Sequence, residues 1–282
     1  MKRPDSLIQG IFAASAILSA AVTLLIFVFM AVLGLPVLAD GNFWGIVTGP
    51  WAPDHHSYGI APMILGTLSI SLLALAIAVP LSLGCAAFVQ VTAPRGTGRI
   101  LHVLVRLMTG VPTVIYGFVG IFVLVPLVRD MFGRGSGLCI LSAGAMLAVL
   151  VAPTMILFFV DGLANVPRAY CRAAAALGAS PVQRLVYVML PRAWRSILAG
   201  MVLGFGRAVG DTMIALMLAG NAVALPESIL DSARTLTAHI ALIIAADFDS
   251  PEFHTLYICG LTLYLLTTLA VAAMRRMSGR RA

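Results

Sequence analysis

An all-α bundle of about six membrane-spanning helices is what this sequence predicts, and three observations predict it. Hydrophobic residues make up 61% of the 282 and charged residues only 10%, where soluble domains carry about 25% charged. The mean hydropathy is +1.03. Apolar runs of spanning length, about 20 residues, lie near 11–39, 63–92, 103–128, 138–160, 197–220 and 254–274. The few charges are also sorted by side, as set out below.

The first run follows a basic start, Lys2 and Arg3. From Ile11 it is about twice the length of a signal-peptide core, so an uncleaved anchor is expected. A loop rich in Gly, Pro and Trp follows, and its Trp44, Trp51 and Pro53 are expected at the membrane interface. His55-His56 in that loop is read as a solvated turn in preference to a metal site. Residues 1–61 thus form an anchor helix with its loop, 62–275 a five-helix body and 276–282 a basic tail.

Within the body, Gly110 and Pro112 interrupt the third helix. Backbone groups freed at a break must face protein or a cavity, so Thr113 and Tyr116 either line a pathway or make interhelical hydrogen bonds. The fifth run is the weakest span, because it carries Arg207 and Asp211. Ionisable groups at membrane depth face the bundle interior or a water-filled path. Their i, i+4 spacing places them on one helical face within pairing reach. Two readings stand: a self-neutralising structural pair, or an anion site built on the arginine fork. Gly200/Gly204 and Gly206/Gly210 are small-x-x-x-small pairs that imply close helix packing. Asn221, at the far end of the same helix, is a further polar candidate.

The piece between the fourth and fifth runs, 161–195, is too long for a turn and too Ala-rich for disorder. Asn165 can cap a helix opened by Pro167. Ala169 and Ala173 to Ala176 favour helix, and Gly178 supplies a left-handed stop. Ser180-Pro181 starts a second helix, expected to end near Pro191. A row of alanines can lie in a groove of a partner; an amphipathic helix resting on lipid headgroups is the alternative.

Charge fixes an orientation. Lys2, Arg3, Arg95, Arg99, Arg106, Arg168, Arg172, Arg184, Arg192, Arg195, Arg275, Arg276, Arg280 and Arg281 fall on the side that six spans give to both termini, 14 of the 18 basic residues. Arg129, Arg134 and Arg234 fall on the other side, with Asp40, Asp54, Asp130, Glu227, Asp231, Asp247, Asp249 and Glu252. The positive-inside rule then puts both termini and 161–195 in the cytoplasm. The net charge of +7 is a topology signal, so nucleic-acid binding is not expected.

Several functions are excluded by what is missing. Cys85, Cys139, Cys171 and Cys259 are scattered with no His at ligand spacing, so no metal site is expected. Lys2 is the only lysine and no G-x-x-x-x-G-K-[ST] occurs, so the chain holds no P-loop. Histidines and acids form no catalytic cluster. A secondary transporter or channel would leave the Ala-rich loop unexplained, and no internal repeat supports one.

Positions 172–191 resemble the loop of prokaryotic ABC importer permeases, E-A-A-x(3)-G-x(9)-I-x-L-P. Ala173, Ala174, Gly178, Leu190 and Pro191 fit it, Val188 replaces the Ile, and Arg172 replaces the Glu. Three more stretches make the chain similar to phosphate-specific permeases of PstC type. They are Trp51-Ala-Pro53 with Tyr58 to Leu68, Gly110-Val-Pro-Thr-Val-Ile-Tyr116-Gly-Phe-Val-Gly120, and Arg207-Ala-Val-Gly-Asp211-Thr-Met213 through Gly220-Asn221. Asp211 stands where that family has Glu.

The resemblance implies a type I ABC importer transmembrane domain in a bacterial inner membrane, carrying inorganic phosphate or a related oxyanion. It implies a substrate pathway with Arg207, Asp211, Thr113, Tyr116 and Asn221. It also implies an ATPase coupling loop with Arg172, Ala173, Ala174, Gly178, Val188, Leu190 and Pro191. Implied partners are two ATP-binding cassette ATPase subunits, a second permease of PstA type and an extracytoplasmic phosphate-binding protein. No cofactor is expected in the chain itself, ATP being bound by the partner.

Overall fold

The computed structural model describes residues 3–39, 43–248 and 250–279. Lys2, Asp40, Asp249, Arg280 and Arg281, used in the charge argument, lie outside the described residues, as does the end of the 276–282 tail. In chain order the first helices are α1 Arg3–Ala39, α2 Phe43–Thr48, α3 Ala61–Ala87, α4 Arg95–Thr109, α5 Thr113–Val119, α6 Val125–Phe132 and α7 Ile140–Ala164. Then come α8 Arg168–Ala176, α9 Pro181–Arg184, α10 Leu190–Gly210, α11 Met213–Leu218, α12 Leu236–Ile243 and α13 Pro251–Gly279. Wide π turns at Phe88–Thr92, Gly120–Leu124 and Leu185–Met189 extend α3, join α5 to α6 and join α9 to α10.

Among the described residues six helical stretches are long and apolar enough to cross a membrane. They are Ile8–Gly34, Ala61–Thr92, Thr113–Phe132, Ile140–Ala164, Pro181–Gly210 and Pro251–Ala273. Helix α7 is the core of the bundle, since 72% of its apolar window is buried against 0% for the first span. Small residues let its neighbours close in. Gly144 of α7 faces the Leu73 side chain, Ala74 and Ala78 of α3 are fully buried, and Ser82 Oγ donates to the Ala152 carbonyl at 3.3 Å. Without a hydrophobic drive between helices in lipid, such close packing and interhelical hydrogen bonding hold the bundle together. Helix α1 lies along α13, with Gly34 against Leu261 and Phe27 tilted on Tyr264 at 4.9 Å.

Two spans differ from the sequence reading. The third begins at Thr113, ten residues later than expected, because 95–109 form the separate helix α4. Arg99, His102 and Arg106 repeat at three- and four-residue spacing on one face, with exposed Ile100, Leu104 and Leu107 elsewhere around the helix. That amphipathic pattern suits an interfacial helix better than a buried one. Pro112, in extended backbone (φ −58°, ψ 141°), separates α4 from α5. The fifth span ends at Gly210 and not near 220. Asp211 has ψ 123°, so the helix stops and restarts as α11. Asp and Thr after a glycine favour caps over helix interior.

At the acid-rich end a two-residue hairpin, β1 Trp51–Ala52 and β2 Ser57–Tyr58, closes over the bundle. His55 and the left-handed His56 form its exposed turn. Trp51, half-buried, stands edge-on to His239 of α12 at 4.4 Å. Trp44 is 73% exposed. Only one of the two glycine pairs is a packing motif. A Cβ on Gly200 would sit 2.8 Å from the Phe159 ring and one on Gly204 2.7 Å from Met155 Sδ, whereas Gly206 and Gly210 face open space.

Candidate functional site

The loop at the arginine-rich end is a rigid elbow whose parts follow from local chemistry. Helix α8 stops in a Schellman arrangement: Gly178 has φ +85°, its N–H donates to Ala175, and the Ala179 N–H donates to Ala174, both at 3.0 Å. Two residues later Ser180 opens α9 with a capping box. Its Oγ accepts from the Gln183 N–H at 3.3 Å, and its own N–H donates to Gln183 Oε1 at 2.8 Å. Asn165 does not cap α8 as expected; Pro167 holds that position, and Asn165 ends α7 instead.

Nor does the second helix stop at Pro191. A proline inside an unbroken helix clashes with the carbonyl four residues back. The π turn Leu185–Met189 widens the backbone just before it, so Pro191 sits in the first turn of α10. Residues 181–210 thus form one column. Of the motif residues, Arg172, Ala173 and Pro191 are exposed, Ala174, Val188 and Leu190 are half-buried, and Gly178 stands at the tip beside Leu177, which is 89% exposed. Tyr170 of α8 packs under the Arg192 guanidinium at 4.5 Å, tying the elbow to the foot of α10.

Arg207 lies at the other end of that column. The rise from Arg184 to Arg207 is about 35 Å at 1.5 Å per residue. Its Nη1 donates to Thr154 Oγ1 of α7 at 3.1 Å. Asp211 does not pair with it: among the described residues the one ion pair is Arg129–Asp130. The i, i+4 argument fails because the helix ends at Gly210, and Asp211 turns to other work. Its Oδ2 accepts from the Ile214 N–H at 2.8 Å, capping α11, while its carbonyl accepts from Thr237 Oγ1 of α12 at 3.1 Å.

Tyr116 and Asn221 have structural partners. The Tyr116 hydroxyl donates to the Met108 carbonyl at 3.1 Å, pinning α5 to α4 across the break. Thr113, half-buried, starts α5. Asn221 follows Gly220 in left-handed backbone (φ 56° after φ 81°), and its Nδ2 donates to the Leu216 carbonyl at 2.6 Å. It therefore closes the end of α11. Its Oδ1 is buried without a partner.

Three residues at this level were not singled out from sequence. Thr154 is a hydroxyl beside Pro153 in the otherwise apolar stretch 143–160, which was the available signal. Thr237 carries no such mark. Arg234, placed by charge on the side opposite the termini, is partly buried and donates through Nε to the Asn221 carbonyl at 3.0 Å. Nearby, burial and secondarily the Arg234 charge push His239 down to about 4. It is neutral at pH 7, which leaves Arg234 as the cation there.

Comparison with known proteins places this geometry. The profile of the family described as "Binding-protein-dependent transport system inner membrane component" matches residues 78–282. The chain is 32% identical over 277 residues to "Probable ABC transporter permease protein YqgH" of Bacillus subtilis (strain 168), covering 96% of this chain and 90% of that protein. It is 33% identical over 249 residues to "Phosphate transport system permease protein PstC" of Xylella fastidiosa (strain 9a5c), covering 80% and 76%. Among solved structures, a chain of a bacterial alginate ABC transporter superposes with a TM-score of 0.67 at 14% identity, covering 99% of this chain and 98% of that one. A chain of the MetNI methionine ABC transporter in an inward-facing form gives 0.63 at 17% identity, covering 79% and 96%.

Proposed function

We propose that this chain, which belongs to the family of binding-protein-dependent transport system inner membrane components, is the permease subunit of an ATP-driven importer of inorganic phosphate. The carrying observation is Arg207, a half-buried guanidinium of the fifth span that bonds a neutral hydroxyl and, among the described residues, pairs with no carboxylate. A planar fork with free donors suits phosphate oxygens. Relatives named as phosphate permeases, at 29–33% identity, support that substrate over other anions. Thr154 orients the fork, and Asp211 holds the restart of the helix beside it.

The chain itself contributes the path, and ATP hydrolysis belongs to separate ATP-binding cassette subunits. These receive the elbow Arg168–Pro191, and movement passes to Arg207 along the 181–210 column. A second permease of PstA type and an extracytoplasmic phosphate-binding protein complete the assembly. The arginine-rich end faces the cytoplasm, by the positive-inside rule. In a variant whose native cysteines are replaced, single cysteines at Ser180 and Ser228, both exposed, are then labelled from opposite sides of the membrane. Labelling of both from one side removes the six-span topology.

Reconstitution in proteoliposomes with its ATPase, second permease and binding protein tests the substrate. Phosphate is expected to stimulate ATP hydrolysis and accumulate inside, while sulfate and molybdate do neither. Equal stimulation by sulfate would show that the path does not select phosphate.

A further inference from the structure

The elbow is basic without compensation. Between Asp161 and Asp211 the sequence holds no acidic residue, yet it holds Arg168, Arg172, Arg184, Arg192, Arg195 and Arg207. Arg192 is engaged by Tyr170 and Arg207 by Thr154. Arg168 and Arg172 are exposed at i, i+4 on α8, where like charges repel. Arg168 also occupies the first turn, where the helix dipole disfavours a cation. Arg184 is half-buried, and its Nε is buried with no hydrogen-bond partner. Leaving such a donor unmade is costly, more so on a charged group.

Arg168 and Arg184 share a space. A cavity of about 360 Å³ opens between the end of α7, α8 and α9, lined by Arg168, Arg184, Cys171 and Gln90. Among the described residues no carboxylate pairs with any of these arginines. A cluster that is locally unfavourable and internally unanswered is completed by a partner of opposite charge.

The geometry points to an acidic receiving surface on the ATPase subunit, one that sets carboxylates against Arg168 and Arg172 and into the cavity beside Arg184. This rests on the elbow being the docking element. It adds the sign of the contact, which is reversed at Arg172 relative to the Glu of the loop motif. An ATPase whose groove offers a cation at that place is repelled, so the charge also selects among ATPases in one cell.

The test is association of the purified permease pair with its own ATPase in detergent, across a salt series, alongside ATPase stimulation. Arg172→Glu is expected to weaken binding at least about tenfold, and Arg172→Gln less. A carboxylate→Arg change in the ATPase groove is expected to restore Arg172→Glu. Wild-type binding should weaken with salt more steeply than that of Arg172→Gln. Because Arg172 is exposed, loss of fold is not the cause if the variant stays monodisperse. Normal binding of Arg172→Glu, with binding lost in Gly178→Val, overturns the charge assignment and leaves docking intact. Normal binding in both overturns the docking reading as well. Normal ATPase binding by Arg172→Glu with weakened retention of anionic lipid assigns the arginines to headgroups instead, which also overturns it.

Discussion

Phosphate uptake by Arg207→Gln is expected to fall at least a hundredfold while the protein inserts and assembles at wild-type level. Two charge-assisted hydrogen bonds to an anion are worth about 3–6 kcal/mol together, and each 1.4 kcal/mol is tenfold. Glutamine removes the charge and ends two bonds short of the Nη1 that reaches Thr154, so that contact goes with it, and Thr154→Val measures the contact alone. Arg207→Lys keeps charge without the fork and is expected to retain partial activity. Thr154→Val leaves the cation but not its orientation, at a cost of about 0.5–1.5 kcal/mol, a severalfold loss. Isotope uptake in cells lacking other phosphate transporters, with immunoblots of the membrane fraction, reads all three. Wild-type uptake in Arg207→Gln would remove the anion site.

The charge of Asp211 can be tested apart from its cap. Since it caps α11 and pairs with no arginine, Asp211→Asn preserves the cap, for which Asn is as good. The protein is therefore expected to accumulate normally, and a changed turnover reports the charge alone. Asp211→Ala loses the cap at a cost of about 1 kcal/mol.

What was legible in the sequence was what short-range chemistry decides. The Gly178 stop and the Ser180 start are each made by residues within five positions, so their hydrogen bonds could be foreseen. Six apolar runs were visible because lipid demands them. What failed depended on partners far away in the chain. The 207/211 pairing assumed a continuous helix, but the chain leaves it at Asp211, whose carbonyl is taken by Thr237 26 residues on. Thr154 and Arg207 are 53 residues apart. Pro191 looked like an end because nothing in the sequence shows that a wide turn precedes it. The start of the third span was hidden because 103–107 is apolar on the face that α4 turns from its arginines.

Gly178→Val is expected to abolish phosphate-stimulated ATP hydrolysis although the permease remains inserted and folded. Its φ of +85° is open to glycine, and a Cβ there meets nothing within 4 Å, so the penalty is conformational and not a clash. A left-handed L-residue costs about 1–2 kcal/mol, and β-branching adds to it. The chain escapes that strain by giving up the Schellman bonds at Ala174 and Ala175, which swings α8 away from α9. The bundle feels this little, because α8 holds no buried residue and meets the bundle through Cys171 and the Tyr170–Arg192 stack. Docking does, because Leu177 and the arginines of α8 then face a new direction. Gly178→Asn is the control: asparagine tolerates the left-handed region, so it should keep most of the coupling where valine loses it. If valine and asparagine behave alike, the turn at Gly178 is not what aligns the elbow with its ATPase.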